Sequence, residues 1–222
     1  MTRPGAPLPN LLRRAAGRAF AGAHSSPDDA DAAILDAAVA VLARRGTRAA
    51  TIAEVAAAAG VGRATVFRRF AGKDELFERA LTREITVLLD TLAARLATLD
   101  DPAEQVAAGF ALCLSLHRHP LLAAGPTPRA ELLYALTHGD RAPIIAAHAR
   151  VRAHIARAQA ENRLPPGDPD AQADALIHVT LGYLLAPSLA VDLTDPTAVA
   201  HLARVAIAPI LTGPAKPPAT QR

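Results

Sequence analysis

Cysteine, tryptophan and long apolar runs are scarce or missing in this chain. Its 222 residues include one cysteine and no tryptophan. The lone Cys113 excludes an intrachain disulfide framework and suits a reducing compartment. No apolar run reaches the roughly 18 residues that a membrane-spanning helix needs. Near the N-terminus, Arg18 interrupts the segment that follows Arg13 and Arg14, which argues against a signal peptide. These absences predict a cytoplasmic protein that does not enter a membrane.

Patterns typical of β-strands are also missing. Hydrophobic residues make up 51% of the chain, but alanine dominates them, and aromatic residues account for only 3%. Alanine is the best helix former, whereas the residues that favour strands never cluster here in runs of period two. The composition therefore predicts an all-α fold.

Charge is distributed unevenly between the two ends. Residues 1–73 hold 11 Lys and Arg against 5 Asp and Glu, whereas residues 74–222 hold 13 against 16. The first third is thus net basic and the remainder net acidic. This asymmetry suggests that the N-terminal end meets a polyanion.

Four segments can be distinguished along the sequence. Residues 1–25 mix Pro, Gly and Arg without a sustained period, and we interpret them as a mobile basic arm with at most one helical turn around Leu11–Phe20. A first helical domain is predicted for residues 26–73 and a larger helical domain for residues 74–212. The tail, 213–222, is rich in Pro and is expected to be disordered.

Helix signals in residues 26–73 define a helix-turn-helix. Ser26 and Pro27 can begin a first helix, and Gly46 can end it. Thr51 and Glu54 then match a capping box for a second helix. The turn Gly60-Val61-Gly62 separates that helix from a third, which ends near residue 70. A long amphipathic helix from about 73 to 99 follows and connects the two domains.

The third helix of this motif has one apolar side and one basic side. Val66 and Phe70 are four residues apart and are expected to face the other two helices. Such a helix fits the major groove of DNA, where its N-terminal residues point at base edges. The candidates for reading bases are Arg63, Ala64 and Thr65. The candidates for contacting the phosphate backbone are Thr51, Arg68, Arg69 and Lys73.

A resemblance to a known family strengthens this interpretation. Residues 32–81 contain AAILDAA, IAEVAAAAGV, ATVFRRF and KDELF in one continuous order. Together these motifs closely resemble the DNA-binding domain of the TetR (tetracycline-repressor) family. The resemblance covers about fifty residues. It implies a homodimeric transcription regulator, most often a repressor that a small molecule releases from a palindromic operator.

The resemblance also implies roles for single residues. Arg63, Ala64 and Thr65 occupy positions that read bases in the family, and Thr51, Phe67, Arg69 and Lys73 occupy positions that hold the backbone. Two departures matter at these positions: Phe67 stands where a phosphate-binding tyrosine is common, and Arg69 stands where histidine is common. A third is Gly62, which replaces a common serine and leaves the third helix without a side-chain cap. Arginines of the basic arm are open to two readings, DNA contact or simple solvation.

Five further helical stretches are expected at about 102–118, 128–138, 141–163, 168–187 and 195–211, separated by prolines. The resemblance implies that the last two, 168–187 and 195–211, pair with a second copy of the chain. The alternative is that their apolar stripes bury intramolecular core only.

A small-molecule pocket in the helical domain is expected to use aromatic, sulfur-containing or polar-tipped side chains. The candidates are Phe110, Cys113, His117, Tyr134, His138, His148 and Tyr183. With alanine abundant and charges sparse, a neutral or hydrophobic effector is favoured. Cys113 and His117 are spaced for half a metal site, but no complementary pair appears, so neither a metal nor a cofactor is predicted.

The sequence carries little evidence for an enzyme and leaves one alternative kind of regulator open. An all-helical hydrolase or transferase would need a nucleophile and a base together, and only Cys113 with His117 hints at this, without a nucleophile elbow or phosphate loop. The chain is therefore predicted not to be an enzyme and to have no catalytic residues. A DNA-binding regulator without a ligand switch remains open, and a filled interior would favour it.

Overall fold

The computed structural model describes residues 6–22, 29–123, 126–138 and 143–213. Within these ranges the chain is helical and contains no strand, so the predicted all-α fold is confirmed. No helix in the described ranges has both the length and the apolar character needed to cross a membrane. The predicted start at Ser26 and Pro27 and the tail beyond residue 213 lie outside the described residues.

Twelve α-helices are assigned within the described ranges. They are α1 Leu8–Phe20, α2 Asp29–Ala49, α3 Ile52–Ala58, α4 Arg63–Arg69, α5 Lys73–Ala97, α6 Pro102–Ser115, α7 Pro120–Ala123, α8 Pro126–Thr137, α9 Pro143–Ala160, α10 Pro169–Leu185, α11 Pro196–Leu202 and α12 Pro209–Thr212. A 3-10 turn at Leu116–Arg118 follows α6, and a π-helical turn at Ala203–Ile207 follows α11.

The described chain divides into two compact units. Unit 1 comprises residues within 1–90 and 117–146, and unit 2 comprises residues within 91–116 and 147–222. Helix α5 contributes to both. This division differs from the predicted boundary at residue 73, because the first turns of α5 are buried in the helix-turn-helix core through Leu76, Phe77 and Leu81.

The core of unit 1 is formed by large side chains from α1 to α5. Its fully buried members include Ile34, Val55, Val66, Phe70 and Phe77. Helix α2 is interrupted at Gly46, whose φ of 67° is a left-handed value that favours glycine. The prediction that Gly46 ends the regular helix is therefore confirmed.

Helix α1 corrects the prediction of a mobile basic arm. Leu11, Ala15 and Ala19 recur every four residues and are buried, and Leu11 and Ala15 belong to the unit 1 core. The carboxylate of Glu78 accepts from Arg14 Nε at 2.6 Å and from Arg18 Nε at 2.8 Å. Because Glu78 lies in α5 and is itself nearly buried, these arginines serve packing inside unit 1.

In unit 2 three helices begin in the same way. Asp101, Asp168 and Asp195 cap α6, α10 and α11, and each is followed by a proline in the first turn. The aspartate side chain accepts from backbone N–H groups that lack a partner within the helix, and proline has no such group to leave unpaired. Asp-Pro pairs are therefore efficient start signals.

The helical stretch predicted at about 195–211 is observed from Pro196 to Thr212, but Pro209 divides it. A proline has no N–H to donate to the preceding turn. The chain instead forms the π-helical turn, in which the N–H of Ala208 donates to the carbonyl of Ala203 at 2.7 Å. Helix α12 restarts at Pro209 and contributes Leu211 to a unit 2 core cluster.

Candidate nucleic-acid interface

The helix-turn-helix is fixed locally by the Thr51 capping box and the glycine turn. The Thr51 hydroxyl accepts from the N–H of Glu54 at 3.2 Å, and the Glu54 carboxylate accepts from the N–H of Thr51 at 3.0 Å. Gly60 has φ 66°, and the N–H of Val61 donates to the carbonyl of Ala56 at 3.0 Å. Gly62 precedes α4 without a side-chain cap, as predicted. The turn therefore directs α4 across the end of α3.

Hydrogen bonds and charge also stabilise the ionised form of Glu54. Its carboxylate accepts from the Thr51 hydroxyl at 3.0 Å and from Arg45 Nε at 2.9 Å. The hydrogen bond from Thr51, more than the charge of Arg45, lowers the pKa of Glu54 below its usual value. The Thr51 hydroxyl is therefore already used by the cap, where it donates to the Glu54 carboxylate and accepts from the Glu54 N–H. It keeps one free acceptor position, and the N-terminus of α3 faces solvent.

Helix α4 buries one side and exposes the other. Val66 is 0% exposed and Phe70 is 1% exposed, which confirms that both face the core. Arg63, Ala64 and Arg68 are exposed, and Thr65 is half-buried. In the described part of the chain, neither Arg63 nor Arg68 has an ion-pair partner. These two arginines are therefore available to an outside anion.

Phe67 presents an apolar ring to solvent between those arginines. The residue is 51% exposed, which is unusual for a phenylalanine in an otherwise packed unit. Since it has no hydroxyl, it can offer packing against sugar or base edges and no hydrogen bond to phosphate. The contact of Phe67 with the DNA backbone stays a prediction.

Arg69 and Lys73 are engaged within unit 1. Arg69 Nη1 donates to Asp31 Oδ1 at 2.6 Å, and Lys73 Nζ donates to the carbonyl of Arg48 at 3.2 Å. The Arg69 side chain is 28% exposed. A phosphate contact by Arg69 would require breaking a short, partly buried ion pair, whereas Lys73 would give up only a hydrogen bond to a carbonyl.

The residues predicted to line a ligand pocket fall into both units. In unit 2, Phe110 and Tyr183 pack edge to face with their ring centroids 5.5 Å apart. In unit 1, Tyr134 and His138 stack at 4.1 Å on the exposed side of α8. His117 is half-buried in the 3-10 turn. The aromatic candidates thus form two separate pairs.

Cys113 and His148 differ in environment. The Cys113 thiol is largely desolvated, although the residue keeps some exposed surface, and burial raises its pKa to about 11. Such a thiol is a poor nucleophile and a poor metal ligand at neutral pH. The Nε2 atom of His148 is 3.2 Å from the carbonyl oxygen of Asp170. Among the described residues no group of three or more His, Cys, Asp or Glu is arranged to hold a metal ion.

Unit 2 also contains an open groove of about 350 Å³ that the sequence did not reveal. Four alanines contribute to its lining, and two of its charged lining residues are paired, with Arg204 Nε donating to Glu104 Oε1 at 2.7 Å. Its lining residues are Arg95, Thr98, Leu99, Glu104, Ala107, Ala108, Ala111, Ala200 and Arg204. The hydrogen bond from Arg204 lowers the pKa of Glu104. None of the predicted pocket residues lines this groove.

Comparison with known proteins identifies the helix-turn-helix segment. Residues 34–80 match the family model of bacterial regulatory proteins of the tetR family. No curated protein matches the chain.

Similar solved structures extend the likeness to the rest of the chain. The fatty acid degradation regulator FadR from Bacillus halodurans is 16% identical, and the match covers 82% of this chain and 98% of that one with a TM-score of 0.62. FadR from Bacillus subtilis, in complex with stearoyl-CoA, is 14% identical over 78% and 96% with a TM-score of 0.54. AibR, in complex with isovaleryl coenzyme A and operator DNA, is 17% identical over 84% and 100% with a TM-score of 0.54. At these identities the likeness establishes a shared fold.

Proposed function

We propose that this chain, a member of the tetR family of bacterial regulatory proteins, represses transcription as a cytoplasmic homodimer and leaves a palindromic operator when a small molecule binds. The DNA-binding part of the proposal is supported by the two faces of α4. Val66 and Phe70 on one face are buried in the core. Arg63 and Arg68 on the other face are exposed and have no ion-pair partner in the described chain.

The base and phosphate contacts proposed for α4 are assigned by the position of each residue along the helix. Arg63 is its first residue and can pair two donors with guanine, and Ala64 and Thr65 can contact a thymine methyl group. Arg68 lies in the last turn and is suited to phosphate, as is Lys73 beyond it. Thr51 and Phe67 complete the proposed backbone contacts, through a helix N-terminus and through apolar packing.

Dimerisation is proposed through α10 and the segment from α11 to α12. Apolar residues predominate in α10 from Ala175 to Leu185, although Asp174 and His178 form an exposed polar row, and only Ala173 and Leu184 are buried within the helix. Its other apolar residues are mostly half-buried, a surface that a second helix could cover. Val205 in the π-helical turn is also 57% exposed. A second copy covering these surfaces would supply the twofold protein that a palindromic operator requires.

An effector site is proposed in unit 2, where Phe110 and Tyr183 supply aromatic surface and Cys113 adds a neutral, desolvated thiol. His117, His148, Tyr134 and His138 stay secondary candidates. FadR from Bacillus subtilis was solved with stearoyl-CoA and AibR with isovaleryl coenzyme A. Acyl-CoA thioesters are therefore the first class of effector to test; their acyl chains fit the hydrophobic effector favoured by the sequence, whereas their anionic coenzyme A group does not.

The proposal is tested by selecting bound sequences from random duplex DNA, with and without acyl-CoA thioesters. We expect a palindromic consensus that is lost when the effector is present, and affinity that falls steeply with salt. Recovery of a consensus that no candidate effector disturbs would favour a regulator without a ligand switch. Failure to recover any consensus would contradict the proposed function.

Paired substitutions then test the roles of Arg63 and Lys73. Arg63→Ala should lose about 1–3 kcal/mol of binding free energy and relax preference at one base position. Lys73→Ala should weaken selected and unrelated duplexes alike and reduce the salt slope by about one. Fluorescence anisotropy titrations at several salt concentrations measure both. If Arg63→Ala left affinity and base preference intact, the assignment of Arg63 to base reading would be wrong.

A further inference from the structure

Asp31, in the first turns of α2, joins two other helices of unit 1. Its Oδ1 accepts from Arg69 Nη1 of α4 at 2.6 Å, and its Oδ2 accepts from Arg79 Nη2 of α5 at 3.4 Å. Its side chain is 15% exposed. Each carboxylate oxygen thus binds one arginine, and the three side chains connect α2, α4 and α5.

Arg79 makes two further contacts with the end of α4. Its guanidinium carbon lies 4.8 Å from the centroid of the Phe70 ring, and its Nη1 donates to the carbonyl of Arg69 at 3.5 Å. A cation at the C-terminal end of a helix complements the helix dipole and its unpaired carbonyls. The last turn of α4 is therefore held through a side chain, a carbonyl and an aromatic face.

We propose that Asp31, Arg69 and Arg79 form a clamp that fixes α4 for DNA binding. In this clamp Asp31 and Arg79 are positioning residues, and Arg69 binds Asp31 and does not contact phosphate. The inference rests on the proposed function, in which α4 enters the major groove. A seven-residue helix is too short to be stable alone, so its direction depends on its anchors. Since Arg63 begins the same helix, a tilt at the Arg69 end would displace Arg63 from its base pair.

The chain provides a matched control for Asp31. Asp36, one turn and a half further along α2, accepts from Arg83 Nη1 of α5. This second pair also joins α2 to α5, and in the part of the chain that the structure describes neither residue has a hydrogen bond or ion pair with α4. Asp31→Asn and Asp36→Asn each remove one negative charge from the same helix, so a general change in attraction to DNA is the same for both.

The first measurement needs no DNA. Hydrogen exchange of the α4 amides is compared between the native chain, Asp31→Asn and Asp36→Asn. We expect the amide of Phe70, which donates to the carbonyl of Val66, to exchange about tenfold faster in Asp31→Asn only. Equal exchange in the two variants would overturn the clamp itself.

The second measurement compares the affinity for a duplex selected from random DNA with that for an unrelated duplex. The ratio of the two should fall about tenfold in Asp31→Asn, the size of effect expected when a charged hydrogen bond is lost. It should stay unchanged in Asp36→Asn. Arg79→Lys, which keeps the charge but loses the planar fork, should lower the ratio to a lesser extent.

The salt slope separates a clamp residue from a phosphate contact. Arg69→Gln should leave the dependence of binding on salt unchanged, whereas loss of a phosphate contact would reduce the slope by about one. Asp31→Asn should make the slope steeper, because the released Arg69 can then reach phosphate. If Asp31→Asn did not fold, Arg69→Gln would still decide: a reduced slope would overturn the proposal.

The outcomes distinguish a failure of the clamp proposal from a failure of the proposed function. If the native chain selects a duplex and Arg63→Ala weakens it, but Asp31→Asn and Asp36→Asn behave alike, the clamp is wrong and the proposed function stands. If the native chain selects no duplex, the proposed function fails and so does the positioning role for DNA, whatever the exchange rates show about α4.

Discussion

The two units differ in how many large side chains they bury fully. Unit 1 encloses large side chains such as Phe70, Phe77 and Leu76, all at most 1% exposed. A core cluster of unit 2 consists of Ile155, Ala158, Leu164, Ala173 and Leu211. Among the described residues, Ile155 is the one unit 2 member of the largest fully buried side chains. Unit 1 thus buries more of its largest side chains than unit 2 does. Both units also expose large apolar residues, which in unit 1 include Phe67, Val87, Leu133, Tyr134 and Ile145 and in unit 2 Leu189 and Val205.

This difference bears on function. A helix-turn-helix needs a rigid back so that its exposed residues keep their geometry on DNA. Unit 2 leaves half-buried apolar residues along α10 and exposes Val205, a pattern that a partner or a ligand could complete. The comparison predicts that changes at the surface of unit 2 alter assembly, whereas changes inside unit 1 alter stability.

The largest effect is expected at Gly182 of α10. This glycine is exposed, and a Cβ atom built on it would meet nothing within 4 Å. Gly182→Glu should therefore leave the folded monomer intact but place a desolvated charge between two copies. We expect the dimer to dissociate at least about a hundredfold more readily. Light scattering across a concentration series measures the change.

A matched control is available in unit 1. Gly17 of α1 is also exposed and also has open space around its position. Gly17→Glu adds the same charge to an exposed helix and should leave the molecular mass unchanged. Dissociation in both variants, or in neither, would contradict the proposed interface, as would a monomeric native chain at micromolar concentration.

The next largest effect, on the free energy of unfolding, tests whether α1 belongs to the core of unit 1. Leu11 is 0% exposed, and Leu11→Ala should reduce the free energy of unfolding by about 2–5 kcal/mol. Leu189 of unit 2 is fully exposed at 101%, so Leu189→Ala should change it by less than about 0.5 kcal/mol. Urea denaturation followed by circular dichroism gives both values. A negligible effect at Leu11 would restore the interpretation of residues 1–25 as a mobile arm.

Local signals explain which parts of the fold could be predicted from the sequence. The Thr51 capping box, the turn at Gly60 and the Asp-Pro starts act within four residues, so the sequence pattern alone predicts the helix ends they produce. Pro209 is an equally local signal, and it divides the helical stretch expected at 195–211. The stripe of α1 is hard to detect in the sequence because alanines, a weak hydrophobic signal, form most of it.

The clamp and the groove could not be predicted in this way. Asp31 and Arg69 are 38 positions apart, and Glu104 and Arg204 are 100 positions apart. Nothing in a single sequence pairs charges at such separations, because their approach depends on how the helices pack. Arg69 was therefore assigned by position to phosphate, although its partner in the fold is a carboxylate.

The smallest effect compares two half-buried carboxylates, Glu54 in unit 1 and Glu104 in unit 2. The pKa of Glu54 is lowered mainly by the Thr51 hydroxyl, and that of Glu104 mainly by Arg204. A carboxylate whose pKa is lower in the folded state stabilises the fold above its ordinary pKa of about 4.5. That stability is lost as the pH falls through the lowered value. Glu54→Gln and Glu104→Gln should each remove one such increment between neutral pH and about pH 3.

The two tyrosines allow each unit to be followed separately. Tyr134 lies in unit 1 and Tyr183 in unit 2, and the chain has no tryptophan. In a Tyr183→Phe background, tyrosine fluorescence reports unit 1, and in a Tyr134→Phe background it reports unit 2. If the units unfold independently, Glu54→Gln should flatten the pH dependence of the urea midpoint only in the first background and Glu104→Gln only in the second. Equal effects of each substitution in both backgrounds would mean that the two units unfold together. The difference between their cores would then not appear as a difference in stability.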